Sequence, residues 1–118
     1  MRQIYIKPRS NEVLYNITIG INPMKIEEWR RFMHDDHLPK IFASNCFANY
    51  RMCRIIDEQA GSTTIAVQYL AHSVEHLKKY NQDYAADLQR EHMEKFGSDA
   101  VAYRSVLDIL EEGEWQEV

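Results

Sequence analysis

From Val13 to Ile21 the chain alternates strictly. Val13, Tyr15, Ile17, Ile19 and Ile21 fall on one face of an extended segment, and Leu14, Asn16 and Thr18 on the other. Period-2 patterning of this kind predicts a strand with one strongly apolar face. Thr63–Ala71 repeats it, with Ile65, Val67 and Tyr69 opposing Ala66, Gln68 and Leu70. Ala100–Leu110 reads as a further strand, with Val101, Tyr103, Leu107 and Ile109 expected on the apolar face and Ala102, Arg104, Val106, Asp108 and Leu110 on the other. Phe47–Asp57 (FANYRMCRIID) is also a strand, but its pattern does not choose a face. Glu58–Ser62, with Gly61, reads as the hairpin loop that follows it.

Between the first two strands the period changes to that of a helix. Asn22 is a plausible N-cap and Pro23 a plausible first helical residue. Ile26, Trp29, Met33 and His37 form one stripe, which Ile41 continues beyond Pro39. Proline disfavours helical geometry at the residue before it, so the helix is expected to end near His37, with a short second turn to about Ser44. Ser73 caps a second helix predicted to run unbroken to about Phe96. Its stripe is Leu77, Tyr80, Tyr84 and Leu88, and Gly97 stops it. Met1–Asn11 is mixed, with a short edge strand at Ile4–Ile6, and the tail EEGEWQEV is acidic and expected to be loose.

The predicted order is βαββαβ, an α+β fold of the ferredoxin-like type. Right-handed crossovers place two helices on one face of a four-stranded antiparallel sheet. One domain over 13–112 follows, with an extension over 1–12 and a tail over 113–118. The second sheet face would carry Leu14, Asn16, Thr18, Gln68, Leu70, Arg104 and Val106, apolar and polar groups mixed. A two-fold partner sheet would bury the former and pair the latter, so a homodimer through these residues is expected.

Composition narrows the functional classes. The 118 residues are 45% hydrophobic and 27% charged, which suits a folded domain with its own core. A net charge of −4 argues against nucleic-acid binding, which needs a basic face. No apolar run approaches the roughly 20 residues of a membrane span. The N-terminal residues lack the apolar middle of a signal peptide, so the cytoplasm is the expected compartment. Cys46 and Cys53 match neither a CxxC nor a zinc spacing and are expected to be small buried residues.

Several runs together carry a resemblance: VLYNITIGI, then Trp29 followed by His37-Leu38-Pro39, then Phe47 and Tyr50, then AVQY at Ala66–Tyr69, then AYRS at Ala102–Ser105. They resemble a family of small bacterial proteins classed as a domain of unknown function within the dimeric α/β-barrel superfamily. The resemblance implies that fold and dimer but names no chemistry. Members of the superfamily include cofactor-free monooxygenases, haem-degrading monooxygenases, lactone isomerases and ligand-binding modules, and fold alone does not choose among them. Haem degradation is disfavoured. Asn16 lies on the expected partner face, and the second helix has no Trp, with His76 and His92 at the edges of its stripe.

His37 is the sharpest chemical signal. On an inward stripe it faces the space between helix and sheet, with Trp29, Met33, Tyr15, Tyr69 and Tyr103 as expected ligand-contacting walls. An imidazole there can act as a base or hydrogen-bond to a ligand. It can equally be a structural residue closing the helix end. His34–His37 (HDDH) does not suit a metal, because His34 lies roughly 60° from His37 around a helix. Arg104 is expected to form a structural ion pair. Two functional readings follow, both without metal or cofactor. One is a homodimeric binding or structural module with a small apolar pocket. The other is a cofactor-independent monooxygenase- or isomerase-like enzyme acting on a small aromatic or carbonyl compound, with His37 as base.

Overall fold

The computed structural model describes residues 1–56 and 63–118. Asp57 and the Glu58–Ser62 loop expected from the sequence lie outside the described residues. The strands are β1 (Arg2–Ile6), β2 (Val13–Ile21), β3 (Phe47–Arg54), β4 (Thr63–Ala71), β5 (Ala100–Asp108) and β6 (Gly113–Glu117). The helices are α1 (Ile26–Phe32), α2 (Leu38–Ala43), α3 (Val74–Asp83) and α4 (Ala85–Phe96). One antiparallel sheet has the order β3-β4-β2-β5, and β1 and β6 pair as a separate ribbon.

β2 and β4 pair in the register their alternation requires, Tyr15 opposite Tyr69 and Leu14 opposite Leu70. Val13, Tyr15, Ile19 and Ile21 are buried, as are Ile65, Val67, Tyr69 and Ala71. They meet Trp29, Phe32, Met33 and Ile41 from the first helical segment and Leu77, Tyr80, Leu88 and Phe96 from the second. Full burial of such side chains contributes about 1.5–3 kcal/mol each.

Pro39 does not end the first helix. The chain stays helical from Ile26 to Ala43, and Met33–His37 forms a π-turn in which the Leu38 N–H bonds to the Met33 carbonyl five residues back. In a regular α-helix the proline ring would collide with the carbonyl four residues back and supply no N–H. The wider turn absorbs both defects. Asn22 caps a 3-10 turn at Pro23–Lys25 that leads into α1, its Oδ1 accepting from Met24 N–H at 3.0 Å, whereas α1 itself starts at Ile26 with no side-chain cap.

The second helix is not continuous either. Tyr84 leaves helical geometry (φ −128°) between α3 and α4, just after the weak helix formers Asn81 and Asp83. Tyr84 is half-buried, while Ala85 and His92 join the core side of α4. Ser73 Oγ accepts from His76 N–H at 3.1 Å, and Gly97 takes φ 52° at the far end, a conformation that favours glycine.

β5 faces the opposite way from the sequence expectation. Its register sets Ala100 opposite Ile21, Ala102 opposite Ile19, Arg104 opposite Ile17 and Val106 opposite Tyr15. The even positions therefore share the helix side, and Val101, Tyr103, Ser105 and Leu107 point to the uncovered side. The Asn22 N–H bonds to the Asp99 carbonyl (2.8 Å) and Asn22 Nδ2 to Asp99 Oδ1 (3.1 Å), pinning the start of β5 beside the end of β2. A one-residue slip would flip every side chain, and it would break both of these bonds. The small Ala100 and Ala102 suit the space beside Ile19 and Ile21. Arg104 and Val106, expected on the partner face, are thus on the helix side.

β3 hides its face because of a bulge. The register shifts between Phe47 and Asn49, leaving Ala48 as the extra residue. Beyond it Tyr50 and Met52 share the helix side and Arg51 and Cys53 the other. Cys46 is buried as expected, but Cys53 is exposed. The tail expected to be loose is β6.

Candidate functional site

Among the residues of the first helical stripe, the π-turn delivers His37 to the interior. The ring is buried at 8% exposure and packs on Phe32 (centroids 5.5 Å) and His92 (5.8 Å). Burial, then the neighbouring His92, lowers its pKa to about 4, and Glu91 and Asp36 oppose this only in part. Asp36 is engaged elsewhere: it pairs with Lys40 at 3.0 Å, and Lys40 reaches Glu91 on α4 at 3.1 Å.

Trp29 is wholly buried and donates its indole N–H to His92 Nε2 at 2.9 Å. Indole is only a donor, so His92 must accept at that nitrogen and stays neutral there. Burial and then the Arg104 charge lower the His92 pKa. Trp29 is therefore a support for His92 and not the ligand platform expected from the sequence.

A cavity of about 20 Å³ lies between His37 and the sheet. Its walls combine Met33 and Ile41 from the helix, Tyr15, Ile17 and Ile19 from β2, Tyr69 from β4, and Tyr80, Gln89 and His92 from α3 and α4. Ala102 and Arg104 close it along β5, and Arg104 is the exposed member. Among the described residues two buried polar atoms, His37 Nδ1 and the Tyr69 hydroxyl, have no hydrogen-bond partner. Both belong to residues lining this cavity. Burial raises the pKa of Tyr69, Tyr80 and Tyr15, with the Arg104 guanidinium acting in the opposite direction on all three. The phenols are neutral hydrogen-bonding groups, and the Arg104 guanidinium lines the cavity with them.

Of the residues expected at the site, His37, Met33, Tyr15 and Tyr69 come together. Tyr103 does not: it is 73% exposed on the uncovered sheet face. His92 and Arg104 join the site without having been predicted there. The spacing from Leu88 to His92 to Phe96 could have placed His92 on the inner stripe. Arg104 could be found only from the register of β5.

The HDDH run lies within the π-turn. His34 and Asp35 are exposed and contact each other at 3.0 Å, away from His37. Among the described residues no three His, Cys, Asp or Glu side chains gather closely enough to hold a metal ion, and no helix is long and apolar enough to cross a membrane. A wider cleft of about 740 Å³ between α1 and α4 is open and walled by charges of both signs, Glu28, Arg31, Glu91 and Lys95 among them.

The family model of the domain of unknown function DUF4286 matches residues 12–110. The chain belongs to the DUF4286 family. That match takes in every residue of the cavity lining but leaves out β1 and β6. No curated protein matches this DUF4286 chain. Among solved structures it is similar to an ethyl tert-butyl ether d (EthD) family protein from Bacillus halodurans C-125. That match has a TM-score of 0.59 at 12% identity and covers 79% of this chain and 96% of the other. It is also similar to the de novo designed protein Foldit4, with a TM-score of 0.54 at 12% identity, covering 83% and 98% respectively. At such identities the likeness is one of fold.

Proposed function

We propose that this DUF4286 chain is a small-ligand-binding module, built on the ferredoxin-like plan of the dimeric α/β-barrel superfamily and working as a homodimer. The strand order β3-β4-β2-β5, with helices following β2 and β4, supports that plan. The uncovered sheet face supports the dimer. β5 turns Val101, Tyr103 and Leu107 to it at 64%, 73% and 42% exposure, beside the half-buried Leu14 and Leu70. Asn16, which bonds to Ser105 Oγ at 3.4 Å, and the neighbouring Thr18 and Gln68 would supply the polar part of the interface.

One observation carries the ligand reading: among the described residues His37 Nδ1 and the Tyr69 hydroxyl are buried without a hydrogen-bond partner, and both residues line the same cavity. Each such atom costs about 1–3 kcal/mol if left unsatisfied. The cavity has room for one oxygen atom, as water or as part of a ligand. A small aromatic or carbonyl compound could place its oxygen there, between Ile17, Met33 and Ile41, and extend past Arg104 to solvent. An imidazole with a pKa near 4 is a weak base at neutral pH, which favours binding over proton abstraction by His37.

The test is an NMR titration with phenol, benzoate and pyruvate, on the wild type and on His37→Phe. Binding should shift the His37, Tyr69 and Arg104 signals. His37→Phe should abolish it while keeping or raising stability, because it replaces an unpartnered nitrogen with carbon. If none of the probes shifts these signals and only an internal water occupies the cavity, the ligand reading fails.

A further inference from the structure

We infer that the β1–β6 ribbon is an arm that closes over a second copy of this chain, seating its apolar face in a groove on that copy's open sheet face. The inference rests on the proposed homodimer for its partner, and it adds the ribbon to the face on which Leu14, Leu70 and Leu107 already lie.

The pairing register divides the ribbon into two faces. Ile4 lies opposite Trp115 and Ile6 opposite Gly113, so all three large side chains share one face. Gln3 opposite Gln116 and Tyr5 opposite Glu114 share the other. The apolar face is largely open to solvent: Ile4, Ile6 and Trp115 are 65%, 57% and 61% exposed. Arg2 pairs with Glu117, and Lys7 with Glu114 at 3.3 Å, but these are exposed ion pairs that contribute little. A two-stranded ribbon alone is marginal in water. Gly113 is fitted to it all the same, since a Cβ there would meet the Tyr5 carbonyl at 3.3 Å.

The ribbon also leads away from its own core. The radius of gyration is 16.5 Å, against roughly 13–14 Å for a compact chain of this length. The complement lies on the sheet. A groove of about 690 Å³ is floored by Leu14, Leu70 and Leu107 and bounded by the segment that leaves β5. One rim carries Arg51, and the other Glu12, Glu111 and Glu112.

Both halves of the contact are thus on one chain, which favours a second copy over an unrelated partner. A two-fold pairing seats two arms in two grooves at once and turns each Arg51 rim toward the acidic rim of the other copy. Area points the same way. A buried Trp covers about 150–250 Å², and a stable interface needs around 800 Å² from each partner. Trp115, already partly covered at 61% exposure, would supply roughly an eighth to a fifth of that.

The chain carries two tryptophans, and Trp29 is wholly buried, so changes in acrylamide quenching report Trp115. Sedimentation and quenching of the full chain are followed together over a dilution series. The expected result is a dimer in which Trp115 is protected, with quenching rising as the dimer dissociates. Trp115→Glu should raise the dimer dissociation constant at least tenfold, with the circular dichroism unchanged. A dimer in which Trp115 stays freely quenched, and Trp115→Glu is neutral, overturns the arm and leaves the sheet-to-sheet dimer standing. A monomer at every concentration overturns both. Protection that appears only with added phosphatidylglycerol vesicles overturns the arm in favour of a lipid surface. The wild-type quenching decides the matter even if the variant does not fold.

Discussion

His37 and His92 form a pair whose two members have opposite hydrogen-bonding states. His92 Nε2 accepts from the Trp29 indole, and His37 Nδ1 has no partner among the described residues. Both are held neutral by burial, and their pKa values are lowered. The unfolded chain therefore binds protons that the folded chain refuses. For His37 the window runs from about 6.5, the ordinary value, down to about 4. Stability is fully present above that window and is lost as pH falls through it, by about 3 kcal/mol at its lower end. Carboxylates also titrate there, so the useful quantity is the difference between wild type and His37→Phe in urea melts at pH 7, 5.5 and 4.5. The wild type should lose ground steadily relative to the variant. Parallel acid limbs would show that His37 is not held neutral.

At the scale of elements, the π-turn links the first helical stripe to the site. It amounts to one extra residue in an otherwise continuous helix, placed where Pro39 requires it. Deleting the exposed Asp35 should close the turn to α geometry while keeping α1 and α2 on their present faces. Pro39 would then meet the carbonyl four residues back, at a cost of about 3 kcal/mol. Adding Pro39→Ala to the deletion should recover most of that loss. Equal melting points for the single and double variants would assign the turn to some other cause. The sequence was legible where side-chain size and period agree, as in β2, β4 and the stripe carrying Trp29, Met33 and His37. It was misleading where they conflict. The bulge at Ala48 breaks the period of β3, and the alanines of β5 look like an outer face although they fill the narrow space beside Ile19 and Ile21. The site was half legible for the same reasons. His37, Tyr15 and Tyr69 sit on readable faces, whereas Arg104 enters the cavity through a register set by Asn22 and Asp99.

For the molecule as a whole, the inverted face of β5 changes what a dimer would use. Side-chain parity alone assigns Arg104 and Val106 to the partner. The observed register puts Val101, Tyr103 and Leu107 on the uncovered face instead, and so makes that face more apolar than the sequence suggested. The neighbouring positions Tyr103 and Val106 then become a matched pair for experiment, since both are exposed, at 73% and 55%, on one edge strand. A charge at Tyr103 would have to be desolvated against the partner sheet. A charge at Val106 would stand on the helix side of the edge, near Arg104, and leave the partner face untouched. Sedimentation equilibrium should therefore find the dimer weakened at least tenfold by Tyr103→Asp and little changed by Val106→Asp, with both variants folded. The reverse ranking would restore the parity reading and refute the register of β5. Equal and negligible effects would mean that the open sheet face is not where two copies meet.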